Sequence, residues 1–221
     1  MLAVMPSGLR LVVFDLDGTL VDSLQDLADA ANALVAEYGC PAIPDAAVAG
    51  MIGDGAGVLV QRVCAACGLD PAPPDAVPRF LAIYDRLMLV HTRPYPGVAD
   101  ALDALAVRVP LAVLTNKPHD AMRRMLDVFD LSRRFVACVG SDLGFPRKPD
   151  PAALRHLMAQ AGSAPESALL VGDSAIDLET ARRAGVRLCL ARYGFGYRPE
   201  LEPLEPGDLT VDRPEELAKI I

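Results

Sequence analysis

LVVFDLDGTLVDS, at residues 11–23, places four uncharged apolar residues directly before two aspartates and a glycine. A run of that length and branched character reads as a strand buried on both faces, the habit of parallel sheets. Gly18 then permits a tight backbone bend. Leu111–Leu114 (LAVL), residues 169–171 (LLV) and Arg187–Ala191 (RLCLA) read in the same way. Helical patterns separate them at residues 119–129 and Ala175–Ala184, the latter stopped by Gly185, a residue suited to a left-handed C-terminal cap. Strand, helix, strand alternation predicts an α/β protein with a doubly wound parallel sheet, a Rossmann-like core.

The first connection breaks the rhythm, because the path from Phe14 to Leu111 is far longer than a βα crossover needs. Within it Leu24, Leu27, Ala28, Ala31, Leu34, Val35 and Tyr38 recur at i, i+3, i+4, i+7 spacing, the mark of an amphipathic helix ending at Gly39. Further helical stretches cover residues 57–67 and 77–90, the second bounded by proline-rich segments. The expected division is a catalytic core of residues 1–22 and 94–221 with an α-helical cap domain inserted at 23–93. Residues 199–207, with three prolines, read as a surface loop before a last strand, Leu209–Val211, and a helix.

A formal charge of −8 and a pI near 4.8 oppose a general role on nucleic acid or an anionic membrane, since neither polyanion is drawn to such a surface. An anionic substrate therefore has to meet a local positive site. The chain has only three lysines, Lys117, Lys148 and Lys219, and the first two fall inside motifs at strand ends. The five cysteines are odd in number and scattered, which predicts reduced thiols and a cytoplasmic protein rather than a disulfide framework. Cys64 and Cys67 form a CxxC in a helix-like stretch with no second pair, so they read as apolar helix residues. No signal peptide or membrane span is expected.

Polar residues follow three of the apolar runs: Asp15 and Asp17, then Thr115 and Asn116, then Asp173 and Ser174. In open parallel sheets ligands bind beyond the carboxyl ends of the strands, so these groups are expected to converge. Neighbouring carboxylates repel, and a hard cation such as Mg²⁺, which takes one or two carboxylates and keeps room for water and a phosphate oxygen, relieves that repulsion. Asp173 would supply a further carboxylate. Each piece also has a plainer reading: a turn at residues 15–18, a strand-terminal hydroxyl at Thr115, a solvated surface lysine at Lys148, and a helix cap with a first-turn acid at Ser174 and Asp177. Pro146, Pro149 and Pro151, however, stiffen the loop around Lys148.

Taken together, DLDGTL, LTNK, the Lys148-Pro149 pair and VGDSAIDLETARRAG resemble the haloacid dehalogenase-like phosphatases in order and spacing over nearly the whole chain. The resemblance implies that Asp15 attacks phosphorus and that Asp17 serves as general acid and then base. It implies Mg²⁺ held by the Asp15 side chain, the Asp17 backbone carbonyl and Asp173, with Thr115 and Lys148 binding phosphoryl oxygens. Asn116 joins the substrate-binding group, and Ser174 and Asp177 stand behind it, Asp177 orienting Lys148.

Asp17 argues against the dehalogenase branch, which lacks that residue, and the lysine-free stretch 23–93 argues against the phosphonate-cleaving branch, which uses a cap lysine. A phosphosugar mutase shares the nucleophile, metal and acid/base. MIGDGAGVLVQR (residues 51–62), PYPGV, TNKP and YGFGY resemble the phosphoglycolate phosphatases more than the mutases. A broad-specificity phosphatase of sugar phosphates or nucleotides is the alternative, and a non-enzymatic binding protein is disfavoured by the intact Asp15 and Asp17. For the carboxylate of phosphoglycolate, Gly53 and Gly55 could bring backbone N–H groups over an anion. Arg62 is the expected cationic partner, ahead of Arg79, Arg86 and Arg93.

Overall fold

The computed structural model describes residues 8–202 and 204–221; residues 1–7 of the expected core and Pro203 of the 199–207 loop lie outside that range. In chain order the elements are β1 (Leu11–Phe14), β2 (Val21–Asp22), α1 (Leu24–Glu37), α2 (Asp45–Ala49), α3 (Ala56–Ala66), α4 (Ala76–Leu87) and β3 (Arg93–Pro94). They continue with α5 (Val98–Ala106), β4 (Leu111–Leu114), α6 (His119–Val128), β5 (Ala137–Val139), α7 (Ala152–Gln160) and β6 (Ala168–Gly172). The chain closes with α8 (Ala175–Ala184), β7 (Arg187–Ala191), β8 (Leu209–Val211) and α9 (Leu217–Ile220).

Six parallel strands form the main sheet in the order β5-β4-β1-β6-β7-β8. Because side chains alternate along a strand, β1 feeds both faces. Val12 and Phe14 join Val113 and Val171 in one apolar layer covered by α5, α6 and α9, while Leu11 and Val13 join Leu114 and Leu170 in a second covered by α7 and α8. All four residues of β1 are buried, as the uninterrupted apolar run demands. The doubly wound α/β architecture expected from the sequence is the one found. The chain leaves β1 toward β4 on one side and returns to β6 on the other, so the crevice at the carboxyl ends of β4, β1 and β6 is the switch point where such sheets bind ligands.

Between β2 and β3 the chain makes the helices α1–α4, which pack mainly on one another. β2 and β3 form an antiparallel ribbon, Val21 opposite Pro94 and Asp22 opposite Arg93, so the insert leaves and re-enters the core through adjacent strands. One carboxylate closes this junction. Asp26, fully buried on α1, accepts from the backbone N–H of His91 at 2.8 Å, from the N–H of Thr92 at 2.9 Å and from the Thr92 hydroxyl at 2.7 Å.

Removing that acceptor leaves three donors without their partner, two of them on fully buried Thr92. Asp26→Ala is expected to cost about 3 kcal/mol of stability, read as a fall in the denaturant midpoint at unchanged slope. A loss below about 0.5 kcal/mol, the range of an ordinary surface substitution, would show that the clamp is dispensable.

Candidate active site

Adjacent strand ends deliver the polar groups. Asp15 follows β1, Thr115 follows β4 and Asp173 follows β6, and all three are buried. Gly18 turns the chain back at φ +85°, and a Cβ there would lie 2.0 Å from Asp173 Oδ2, so only glycine lets the first aspartate loop and the third strand end approach this closely. Asp173 is held from two sides: Thr19 Oγ1 donates to its Oδ1 at 3.3 Å, and the backbone N–H of Gly196 donates to its Oδ2 at 2.7 Å.

Lys148 lies between carboxylates, its Nζ 2.7 Å from Asp177 Oδ1 and 2.9 Å from Asp15 Oδ1. The approach to Asp15 is ionic without hydrogen-bond geometry, and Asp15 Oδ1 is a buried oxygen with no hydrogen-bond donor among the described residues. Asp177 also closes a capping box on α8, its Oδ2 accepting from Ser174 N–H and Oγ while Ser174 Oγ accepts from Asp177 N–H. The helix-cap reading and the lysine-orienting reading of Asp177 therefore describe the same side chain.

The charges do not balance. Carboxylate oxygens of Asp15, Asp173 and Asp177 lie within 4.8 Å of one another, and Lys148 is the one ammonium among them. Burial raises the Asp15 pKa to about 7 despite the nearby lysine, with Asp177 adding to the rise. Burial likewise lifts Asp173 well above the usual carboxylate range, reinforced by Asp177 and Asp15. For Lys148, burial opposes the charge, but Asp15 and Asp177 outweigh it and hold the pKa above its ordinary value. Excess buried negative charge is what a divalent cation would satisfy. With Asp177 committed to Lys148 and Ser174, Asp15 and Asp173 are the carboxylates free to hold one.

Asp17 points elsewhere. Both of its oxygens accept from Lys117 Nζ, at 3.0 and 2.9 Å, and Oδ1 also accepts from Ser23 Oγ at 2.6 Å. Its side chain is thus absent from the three-carboxylate cluster, and only its backbone carbonyl remains as the expected metal contact. Lys117 continues to the insert, donating to the Tyr84 hydroxyl on α4 at 2.8 Å. Burial opposes the Lys117 charge, yet Asp17 and Tyr84 hold its pKa above the ordinary value. Sequence reasoning did not assign Lys117 a role, although one lysine among three, two residues after Thr115, was the available signal.

Core and insert enclose a cavity of about 280 Å³. Asp15, Asp17, Thr115, Lys117 and Asp173 line its core side; Gly53, Gly55, Leu59, Phe80, Tyr84 and Met88 line the insert side. Two sequence-based expectations need correction. Arg62 does not line this cavity: Asp54 Oδ2 pairs with its guanidinium at 2.7 Å, the Met51 carbonyl accepts from it at 2.9 Å, and the side chain is 41% exposed. Asn116 lines the cavity, but its amide is fully engaged, donating to the carbonyls of Gly53 and Lys148 at 2.9 Å each and accepting from Lys148 N–H at 2.8 Å. It ties the insert and the Lys148 loop to β4 rather than offering a free substrate contact. Arg79, Arg86 and Arg93 are likewise absent from the cavity wall.

Residues 12–191 match the haloacid dehalogenase-like hydrolase family. A phosphoglycolate phosphatase from Rhodospirillum rubrum is 43% identical over 198 residues, covering 86% of this chain and 82% of its own. One from Aquifex aeolicus is 34% identical over 214 residues, covering 96% and 97%. The crystal structure of a predicted phosphoglycolate phosphatase from Haemophilus somnus 129pt superposes with a TM-score of 0.86 at 31% identity, covering 96% and 97%.

A pH dependence follows from the buried carboxylates. A carboxyl whose pKa is raised in the fold stabilises the fold fully below its unfolded value, near 4, and loses that contribution as pH rises through the folded value, about 7 for Asp15. In EDTA the thermal midpoint is therefore expected to fall between pH 5.5 and pH 8. A midpoint that rises across that interval would contradict the charge imbalance.

Proposed function

The chain belongs to the haloacid dehalogenase-like hydrolase family, and on that premise we propose that it is a Mg²⁺-dependent phosphatase converting 2-phosphoglycolate to glycolate and phosphate. The observation that carries this reading is the meeting of Asp15, Lys148 and Asp173 at the carboxyl ends of β1 and β6 beside Thr115. The substrate assignment is supported by relatives described as phosphoglycolate phosphatases at 34–43% identity. The helical insert, residues 23–93, acts as the cap domain, and the core comprises 1–22 and 94–221.

In the first step an Asp15 oxygen forms a bond to phosphorus and the ester P–O bond breaks. Asp17, once it carries a proton and is released from its pair with Lys117, donates that proton to the leaving glycolate oxygen. In the second step Asp17 takes a proton from water, the water oxygen bonds to phosphorus, and the P–O bond to Asp15 breaks to restore the carboxylate. Thr115 and Lys148 hold the phosphoryl oxygens, and Asp177 fixes Lys148 by their 2.7 Å contact. Mg²⁺, held by the Asp15 and Asp173 side chains and the Asp17 carbonyl, would lower the repulsion between the carboxylate nucleophile and the phosphate. The loop at Gly53 and Gly55 supplies backbone donors over the substrate. Five unpaired thiols support a cytoplasmic setting, and no described helix is long and apolar enough to cross a membrane.

The apolar insert wall at Leu59, Phe80 and Met88 favours a second reading, in which larger monoesters are also cleaved. A panel of phosphate monoesters decides between them. The expected result is the highest kcat/KM for 2-phosphoglycolate, loss of turnover in EDTA with recovery in Mg²⁺, and no turnover by an Asp15→Asn variant that remains folded. Full activity after chelation, or normal turnover by Asp15→Asn, would overturn the mechanism; equal rates across the panel would overturn the substrate.

A further inference from the structure

With Arg62 turned away, the contact for the substrate's carboxylate has to come from the cavity wall itself. The wall offers two cations, Lys117 and Arg124. Arg124 sits half-exposed, paired with Asp85 of α4. Lys117 is buried, and its Nζ stands 3.0 Å or less from both Asp17 oxygens, next to the atom that would protonate the leaving oxygen. In phosphoglycolate the carboxylate is one carbon from that leaving oxygen, so its partner belongs beside Asp17, where Lys117 stands.

Tyr84 completes the arrangement. Its hydroxyl, on the insert, accepts from Lys117 at 2.8 Å, and among the described residues its own proton has no acceptor. The ring is buried and stacked on Phe80, with centroids 5.8 Å apart, so the hydroxyl is held in place. Burial pushes the Tyr84 pKa up to about 12, which keeps the group a donor. The Lys117 ammonium already spends its three hydrogens on the two Asp17 oxygens and Tyr84, so the Tyr84 O–H is the unspent donor of this group, on the wall of the cavity beside Asp17.

We propose that the Tyr84 hydroxyl donates to the carboxylate of the leaving group, with the Lys117 charge beside it, making Tyr84 the insert's substrate-selecting residue. The assignment rests on the phosphoglycolate reading. An anion bound there would meet the insert's unspent donor next to the Lys117 charge, so a substrate carrying one is favoured over a neutral ester of equal length.

Tyr84→Phe tests this, because it removes one oxygen and keeps the ring on Phe80. The readout is the ratio of kcat/KM for 2-phosphoglycolate to that for 2-hydroxyethyl phosphate, which replaces the carboxylate with a neutral hydroxymethyl group. An internal ratio is insensitive to the fraction of folded enzyme. The ratio is expected to fall about tenfold or more, the effect of deleting a hydrogen bond to a charged group, and inhibition by glycolate is expected to weaken in parallel. A high wild-type ratio that Tyr84→Phe leaves unchanged removes this inference alone. A wild-type ratio near one removes the phosphoglycolate reading and this inference with it.

Discussion

Everything at the head of this sheet answers to one constraint, the burial of more negative than positive charge. Three carboxylates crowd within 4.8 Å around the Lys148 ammonium. Such a cluster is unfavourable in a dry interior unless further positive charge joins it. The fold tolerates the cluster by fixing each member: Asp177 through its capping box, Asp173 through Thr19 and Gly196, Lys148 through the loop tied to Asn116. The glycines at 18 and 194 are consequences of the same crowding, since a Cβ at either would meet Asp173 within 2.3 Å.

A second, separately balanced charge system lies beside the first. Asp17 and Lys117 neutralise each other, and Tyr84 extends the pair into the helical insert. Separating the two systems lets neighbouring aspartates take different roles: Asp15 sits where excess negative charge calls for a cation, whereas Asp17 sits where a lysine already provides one. The insert is seated on the core by Asn116 to Gly53, Lys117 to Tyr84 and Arg124 to Asp85, three contacts that all border the cavity.

The sheet was legible because parallel strands buried on both faces leave unbroken apolar runs, as LVVF and LAVL do. β5 is short and only partly buried at the sheet edge, so it leaves a weaker mark. α5 and α7 lie outside the helices named from sequence, although Val98, Ala101, Leu102 and Leu105 carry the same helical spacing. The core site was legible because strand ends concentrate polar residues. The insert's contribution was not, since the side chain a helix aims into a cavity depends on packing that periodicity does not encode. Arg62 shows the difficulty: its position on α3 looked suitable, but Asp54 and the Met51 carbonyl draw it to the surface, while Tyr84, with an apolar ring and one polar atom, reads as core.

The account stands or falls on Asp15 as the atom donor to phosphorus. The most direct test is to acid-quench the enzyme during turnover of 2-phosphoglycolate, treat it with borohydride, which reduces an acyl phosphate to an alcohol, and sequence the peptide spanning β1 by mass spectrometry. The account predicts homoserine at position 15, dependent on substrate. An unreduced Asp15 with the modification at another residue, or with no covalent species under conditions where turnover is confirmed and the second step is slowed, would contradict it.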